Sequence, residues 1–250
     1  MNIQIVVPLT PIVKKLIMIN VGIWFFLTII AEQFIVPSGF FSKYFGLVPG
    51  MVVEKFFVWQ ISTYMFLHAA SISHILFNML LLWWLGSELE QRWGSRFFLL
   101  YYVVCGVGSG IIYLIGVTFY QLVMGPTLAW ASPVVGASGA IFGLLLAYGI
   151  IFGDRIVYFF MLFPMPAKYF VMILGGIEFI TLLNSKAGSD SNVATLCHLG
   201  GIIVGYLFLY FWTRWSIGRR GKEGRPANRR GLKLVVNNET LEDKGPKFWN

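Results

Sequence analysis

Gly136-Ala137-Ser138-Gly139-Ala140-Ile141-Phe142-Gly143 opens an apolar helical run, residues 137–151. A serine hemmed in by glycines has two readings. Small residues four apart let membrane helices approach closely, so Gly139 and Gly143 serve as packing material. The second reading depends on Cys197-His198-Leu199-Gly200-Gly201, far downstream. There a histidine lies inside another apolar run, where an ionisable side chain marks a functional site. A serine and a histidine brought together are a nucleophile and its general base.

The setting is a membrane. Hydrophobic residues make up 57% of the chain and charged residues only 12%, and the mean hydropathy is +0.73. Several runs of about 18 or more apolar residues predict an all-α, polytopic membrane protein. The formal charge is +8, and ten of the 19 Lys and Arg fall from Arg214 onward. That tail reads as a solvated cytoplasmic end beside anionic lipid; it lacks the interleaved aromatics of a nucleic-acid binder, and no nucleic-acid partner is expected. The two cysteines, Cys105 and Cys197, sit in apolar segments and suggest neither a disulfide framework nor a metal site. No cofactor is implied.

Taken in order, residues 1–13 carry no basic leader, so a cleaved signal peptide is not expected. Lys14 and Lys15 precede the first membrane helix, 16–31, and place the N-terminus in the cytoplasm. Residues 32–63 form a long external segment with Pro37, Gly39, Gly46, Pro49 and Gly50, and Phe56, Phe57 and Trp59 suit the membrane interface. The second helix spans 73–90, the third 97–124, and a turn with Pro126 and Pro133 returns the chain outside. The fourth helix begins near Ala137 and exits at Gly153-Asp154-Arg155. Residues 157–167, broken by Pro164 and Pro166, read as an interfacial segment. The fifth helix covers 168–183, a polar external loop 184–192, and the sixth helix 193–212. The domain is therefore 1–213, and 214–250 is a basic, partly ordered cytoplasmic tail. Sixteen Lys and Arg then lie inside, against Lys43, Lys55 and Lys186 outside, the asymmetry expected of cytoplasmic termini.

This six-helix topology gathers the polar groups at one depth. Ser138 tops the fourth helix, and His198 lies about 8 Å into the sixth at the helical rise. His74 and Asn78, spaced i,i+4, share one face of the second helix. Ser138 is the candidate nucleophile for a peptide carbonyl and His198 its base. The Ser138 N–H, the Asn78 amide and the His74 ring are candidate oxyanion donors. Phe142, one turn below Ser138, is placed to stack on the His198 ring. Gly139/Gly143 and Gly201/Gly205 would bring the fourth and sixth helices into contact. Taken singly, His74 reads as a bundle-lining histidine bonded to a backbone carbonyl and Asn78 as interhelical glue; together with Ser138 and His198 they read as a site. His68 reads as a loop anchor. Glu178, within the fifth helix, is either a hydrogen-bonded packing carboxyl or a group that tunes the site.

His74-x-x-x-Asn78, Gly136-Ala137-Ser138-Gly139 and His198-Leu199-Gly200-Gly201 together resemble the motifs of the rhomboid intramembrane serine proteases, over residues 16–213. The resemblance implies a six-helix rhomboid bundle and a Ser138–His198 catalytic dyad. It also implies oxyanion roles for His74 and Asn78, and membrane-spanning protein substrates cut near the outer end of a helix within the lipid bilayer. Where the family usually has Trp-Arg before the second helix, this chain has Trp59-Gln60, and Gln60→Arg is expected to be tolerated. The minimal form points to a bacterial inner membrane. A non-catalytic binder of membrane helices is the competing reading. A transporter would want charges along both leaflets, which the inner halves of these helices lack. Oligomeric state is not legible.

Overall fold

The computed structural model describes residues 7–159, 163–184 and 190–223. Helix α1 is Pro11–Phe34, widened to π-helical geometry over Trp24–Ala31. Short helices α2 (Phe40–Phe45), α3 (Pro49–Lys55) and α4 (Gln60–Thr63) build the segment before α5 (Ile72–Trp93). Then come α6 (Ser95–Met124), α7 (Ser138–Ile151), a hairpin of β1 (Ile156–Phe159) and β2 (Phe163–Pro166), α8 (Ala167–Asn184) and α9 (Asp190–Glu223). Residue contacts divide the chain at Phe211 into Met1–Phe211 and Trp212–Asn250.

Among the described residues, five helical stretches are long and apolar enough to cross a membrane: α1, α5, α6, α8 and Thr195–Ile217 within α9. Helix α7 is shorter, 14 residues, or about 21 Å at the usual rise. Much of it is enclosed by other protein: eight of its residues are buried, from Gly139 to Tyr148. Backbone ends at membrane depth are permitted where other protein covers them.

Two expectations need correction. The all-α expectation gives way at residues 157–167, where a two-stranded antiparallel hairpin pairs Ile156 with Pro166 and Tyr158 with Pro164. Prolines cannot continue a helix, and in a two-stranded sheet each strand has a free edge that their missing N–H can face. The sixth helix was expected to end at 212, with a partly ordered tail beyond; α9 is instead helical to Glu223. Arg, Lys and Glu are good helix formers, and the preceding helix has already met the nucleation cost, which carries the helix past Gly218 and Gly221. The expectations for loop 185–189 and for tail residues 224–250 lie outside the described residues.

Buried polar side chains tie the elements of the bundle to one another. Tyr64, Tyr101, Tyr102, Tyr113 and Tyr148 are among the largest fully buried side chains. Tyr64 Oη donates to Gly106 O at 2.7 Å and Tyr101 Oη to Gly143 O at 2.8 Å, each tying α6 or α7 to a neighbour. At the other end, the buried Glu90 carboxylate accepts from Thr10 Oγ1 (2.5 Å), Ser95 Oγ (2.5 Å) and the Ile12 and Val13 amides. It thereby caps the exposed N–H groups that open α1, where negative charge is favoured. Glu88 pairs with Arg155 in the turn after α7.

The segment before α5 is fastened directly to the approach to Ser138. Leu47 and Val134 exchange both backbone hydrogen bonds at 2.9 Å, and Gly136 N donates to Tyr64 O at 3.0 Å. Gln60 is fully buried. Its amide donates to Lys43 O at 2.9 Å, and its carbonyl accepts from Val48 N at 3.0 Å. This reverses the expectation for Gln60→Arg. Arginine has donors but no acceptor, so Val48 N would be left buried and unpaired at a cost of about 1–3 kcal/mol. A lowered Tm for the variant is the expected result; an unchanged Tm would show that the loop re-anchors without this bond.

Candidate active site

Ser138 is the first residue of α7, where the helix leaves its leading N–H groups without internal partners and carries the positive end of its dipole. The chain reaches it through Gly136, at φ +132°, a conformation that glycine adopts readily and other residues rarely do. A Cβ there would also lie 3.1 Å from His74 Nε2 and 3.7 Å from Ser138 Oγ. Gly136 is thus both a hinge of the turn and the space in front of the serine.

His198 Nε2 and Ser138 Oγ are 2.8 Å apart. The two helices approach so closely because glycine meets glycine. A Cβ at Gly201 would collide with the Gly139 carbonyl; one at Gly205 would lie 3.3 Å from Gly143 Cα. Phe142 stacks on the His198 ring, centroids 4.3 Å apart and planes at 14°, fixing the imidazole where Nε2 faces the serine. From behind, Ser109 Oγ donates to Cys197 O at 2.5 Å, binding α6 to α9 one residue before the histidine.

The four expected residues meet. Ser138, His198, His74 and Asn78 line one cavity of about 350 Å³, with Phe142 and Gly136 in its wall. Asn78 Nδ2 donates to His74 O at 2.8 Å, which uses one amide hydrogen and leaves the other. On the far side of the His198 ring, Nδ1 makes no aligned hydrogen bond among the described residues. It lies 3.0 Å from Glu178 Oε1, an ion-pair distance. The sequence marked Glu178 as a carboxylate in an apolar run but had no means to pair it with a ring on another helix. Tyr64, which lines the cavity and receives Gly136 N, was missed altogether. Its signal is drowned among eleven tyrosines. Cys105 and Cys197 are buried and unpaired, as packing residues should be. Among the described residues no cluster of His, Cys, Asp or Glu could hold a metal ion.

His68 stands behind His74, ring centroids 5.3 Å apart. It is 1% exposed, and neither ring nitrogen has an aligned hydrogen-bond partner among the described residues. Its loop is held to α1 by Trp24 Nε1 donating to Ala69 O at 3.0 Å. Burial, with the neighbouring His74, pushes the His68 pKa down from 6.5 to about 4. The folded state therefore binds this proton less well than the unfolded chain. The stability that neutral His68 allows is complete above about pH 6.5 and is lost as pH falls towards 4, a change of roughly 3 kcal/mol. A falling Tm across that interval, blunted in His68→Phe, is the expected observation. An identical pH dependence in the variant would remove His68 from the account.

Comparison with known proteins identifies the family. The family model described as the Rhomboid domain matches residues 55–215, more than half of the chain. The chain is 34% identical over 166 residues to RHOMBOID-like protein 1 of Arabidopsis thaliana, covering 66% of this chain and 37% of the relative. It is 31% identical over 166 residues to the rhomboid protease GluP of Bacillus subtilis, covering 65% and 27%. It thus spans well under half the length of these two relatives. YdcA of the same bacterium is 30% identical over 212 residues, 84% of this chain and 92% of the relative. Motifs, helices and alignments along nearly the whole of one relative all lead to one family, and this chain is a member of the rhomboid family.

Proposed function

We propose that this chain is an intramembrane serine endopeptidase that cuts membrane-spanning proteins near the outer end of their helix. The single observation that carries the reading is the 2.8 Å pair of Ser138 Oγ and His198 Nε2, at a cavity bordered by apolar helices. In this mechanism Ser138 Oγ attacks the scissile carbonyl while Nε2 takes its proton. The oxyanion that forms is met by the Ser138 N–H at the start of α7, by the free Asn78 amide hydrogen and by the His74 ring. The imidazolium then protonates the leaving amine; water, deprotonated by the same ring, attacks the acyl-enzyme, and the ring returns that proton to Ser138 Oγ as the acid product leaves. No metal or cofactor enters the sequence of steps.

Family membership and its apolar helices make the chain an integral, multi-pass membrane protein. Our reading goes further: six helices cross, α7 among them, with both termini in the cytoplasm of a bacterial cell. Residues 1–213 form the protease domain and 214–250 a basic tail on anionic lipid. The test is incubation of the purified protein, reconstituted in liposomes, with a panel of single-span membrane proteins. Products cut within the outer part of the spanning segment, unaffected by a chelator, are expected. Binding without cleavage across the panel would favour a non-catalytic helix binder, and cleavage lost to chelator and restored by zinc would overturn the serine mechanism.

Asn78 gives a finer test, because an oxyanion donor acts on charge that exists only in the transition state. Asn78→Ala should then lower kcat with little change in KM. One dominant donor is worth about 10²–10³; shared with two others, about tenfold to a hundredfold is expected. If the amide is only glue, Tm falls, by about 0.6 kcal/mol of stability, and kcat stays.

A further inference from the structure

We propose that Glu178 is a positioning residue of the Ser138–His198 pair: its carboxylate holds the imidazole from Nδ1 and stabilises the positive charge that appears when Nε2 takes the serine proton. The inference rests on the protease reading above and deepens it from two residues to three.

The geometry is that of a relay across three helices. Ser138 on α7 faces Nε2, and Glu178 Oε1 on α8 lies 3.0 Å from Nδ1, the nitrogen on the other side of the same ring. A neutral imidazole carries one N–H. For Nε2 to accept from serine, the proton must sit on Nδ1, and a carboxylate beside Nδ1 selects that tautomer. The Glu178 carboxylate is itself held, since the Thr195 hydroxyl hydrogen-bonds to it. Thr195 and His198 are three residues apart and therefore share one face of α9. Both the glutamate and histidine side chains are largely shielded, at 20% and 17% exposure, where an ionised group without a partner would be costly. Glu178 keeps its charge throughout: the serine proton moves to Nε2 and on to the leaving amine, and the Nδ1 proton stays on the ring.

A packing role fits the surroundings poorly. The buried residues of α8 are Ala167 and Val171, at the opposite end from Glu178. One turn before Glu178 on the same face, a Cβ at Gly175 would make only an ordinary contact, 3.6 Å from Ile202 Cδ1. The glutamate is thus not filling a tight interior; its described contacts are with His198 and Thr195.

The experiment compares Glu178→Gln, Glu178→Ala and Glu178→Asp with Ser138→Ala in liposomes, measuring kcat, KM and Tm on a cleaved single-span substrate. Glu178→Gln, nearly isosteric, carries the test if the alanine variant fails to fold. The expected result is a kcat lower by about tenfold to a hundredfold in Gln and Ala, the scale of a general-base contribution lost in part. KM should stay near wild type, and Asp should recover part of the rate. Wild-type kcat in Gln and Ala, with Ser138→Ala inactive, would overturn the role of Glu178 and leave the dyad standing. A lowered Tm with unchanged kcat would likewise overturn it, in favour of packing. Cleavage by Ser138→Ala would instead remove the protease reading on which the inference rests.

Discussion

Ser138→Ala is expected to abolish cleavage while leaving the Tm close to that of wild type. The expected size is large because, in the proposed mechanism, the hydroxyl oxygen is the bond-forming atom, and among the described residues lining the cavity there is no second serine or threonine to replace it. Serine-protease precedent for removing such a nucleophile is about 10⁶ in kcat. The fold should survive, because Gly136 and Gly139 shape the backbone there and the lost oxygen makes its described bond to His198 alone. His198→Ala should be as inactive, and the double variant no worse than either, since members of one catalytic unit lose activity non-additively. A serine-directed phosphonate should label wild type at Ser138 and leave both single variants unlabelled. Cleavage that survives in Ser138→Ala sinks the serine mechanism; losses that multiply in the double variant would mean the two residues act separately.

The second large effect lies outside the chemistry. Gly201→Ala should lower the Tm and also cost about a hundredfold or more in kcat. A Cβ at this position runs into the Gly139 carbonyl, which is backbone in the first turn of α7 and cannot rotate away. Overpacking of this kind costs about 1–3 kcal/mol. Relief must come from parting α7 and α9, and that same separation is the Ser138–His198 distance. A misplacement of about 1 Å at reacting groups is worth roughly 10² in rate. Gly22→Ala is the control: its Cβ would meet nothing within 4 Å, so it should leave activity unchanged and stabilise α1 slightly. If Gly201→Ala kept the wild-type rate, close helix contact would not be what aligns the pair.

By itself the sequence determined the helical class, the order of the apolar helices, and which polar groups would meet. Hydropathy has a length scale set by the bilayer, so 57% hydrophobic content resolves into runs with readable ends. Polar residues are few in such runs, so Ser138, His198, His74 and Asn78 stood out against an apolar background, and i,i+4 spacing put two of them on one face. The stacking of Phe142 on His198 was legible for the same reason, being one turn from the serine.

Only the tertiary structure decided what depends on partners distant in the chain. Gln60 was read as an interfacial substitution for arginine; it is buried and bonds both Lys43 O and Val48 N, a geometry that no local pattern encodes. Residues 157–167 showed that helix is forbidden by proline without showing that two strands would pair. Glu178 could be seen as an expensive carboxylate, yet its neighbour His198 is on another helix, at a distance set by glycine contacts and ring stacking rather than by spacing. Periodicity reports which side of a helix is polar. Which other helix that side faces, and at what separation, is settled by side-chain volume where the helices cross.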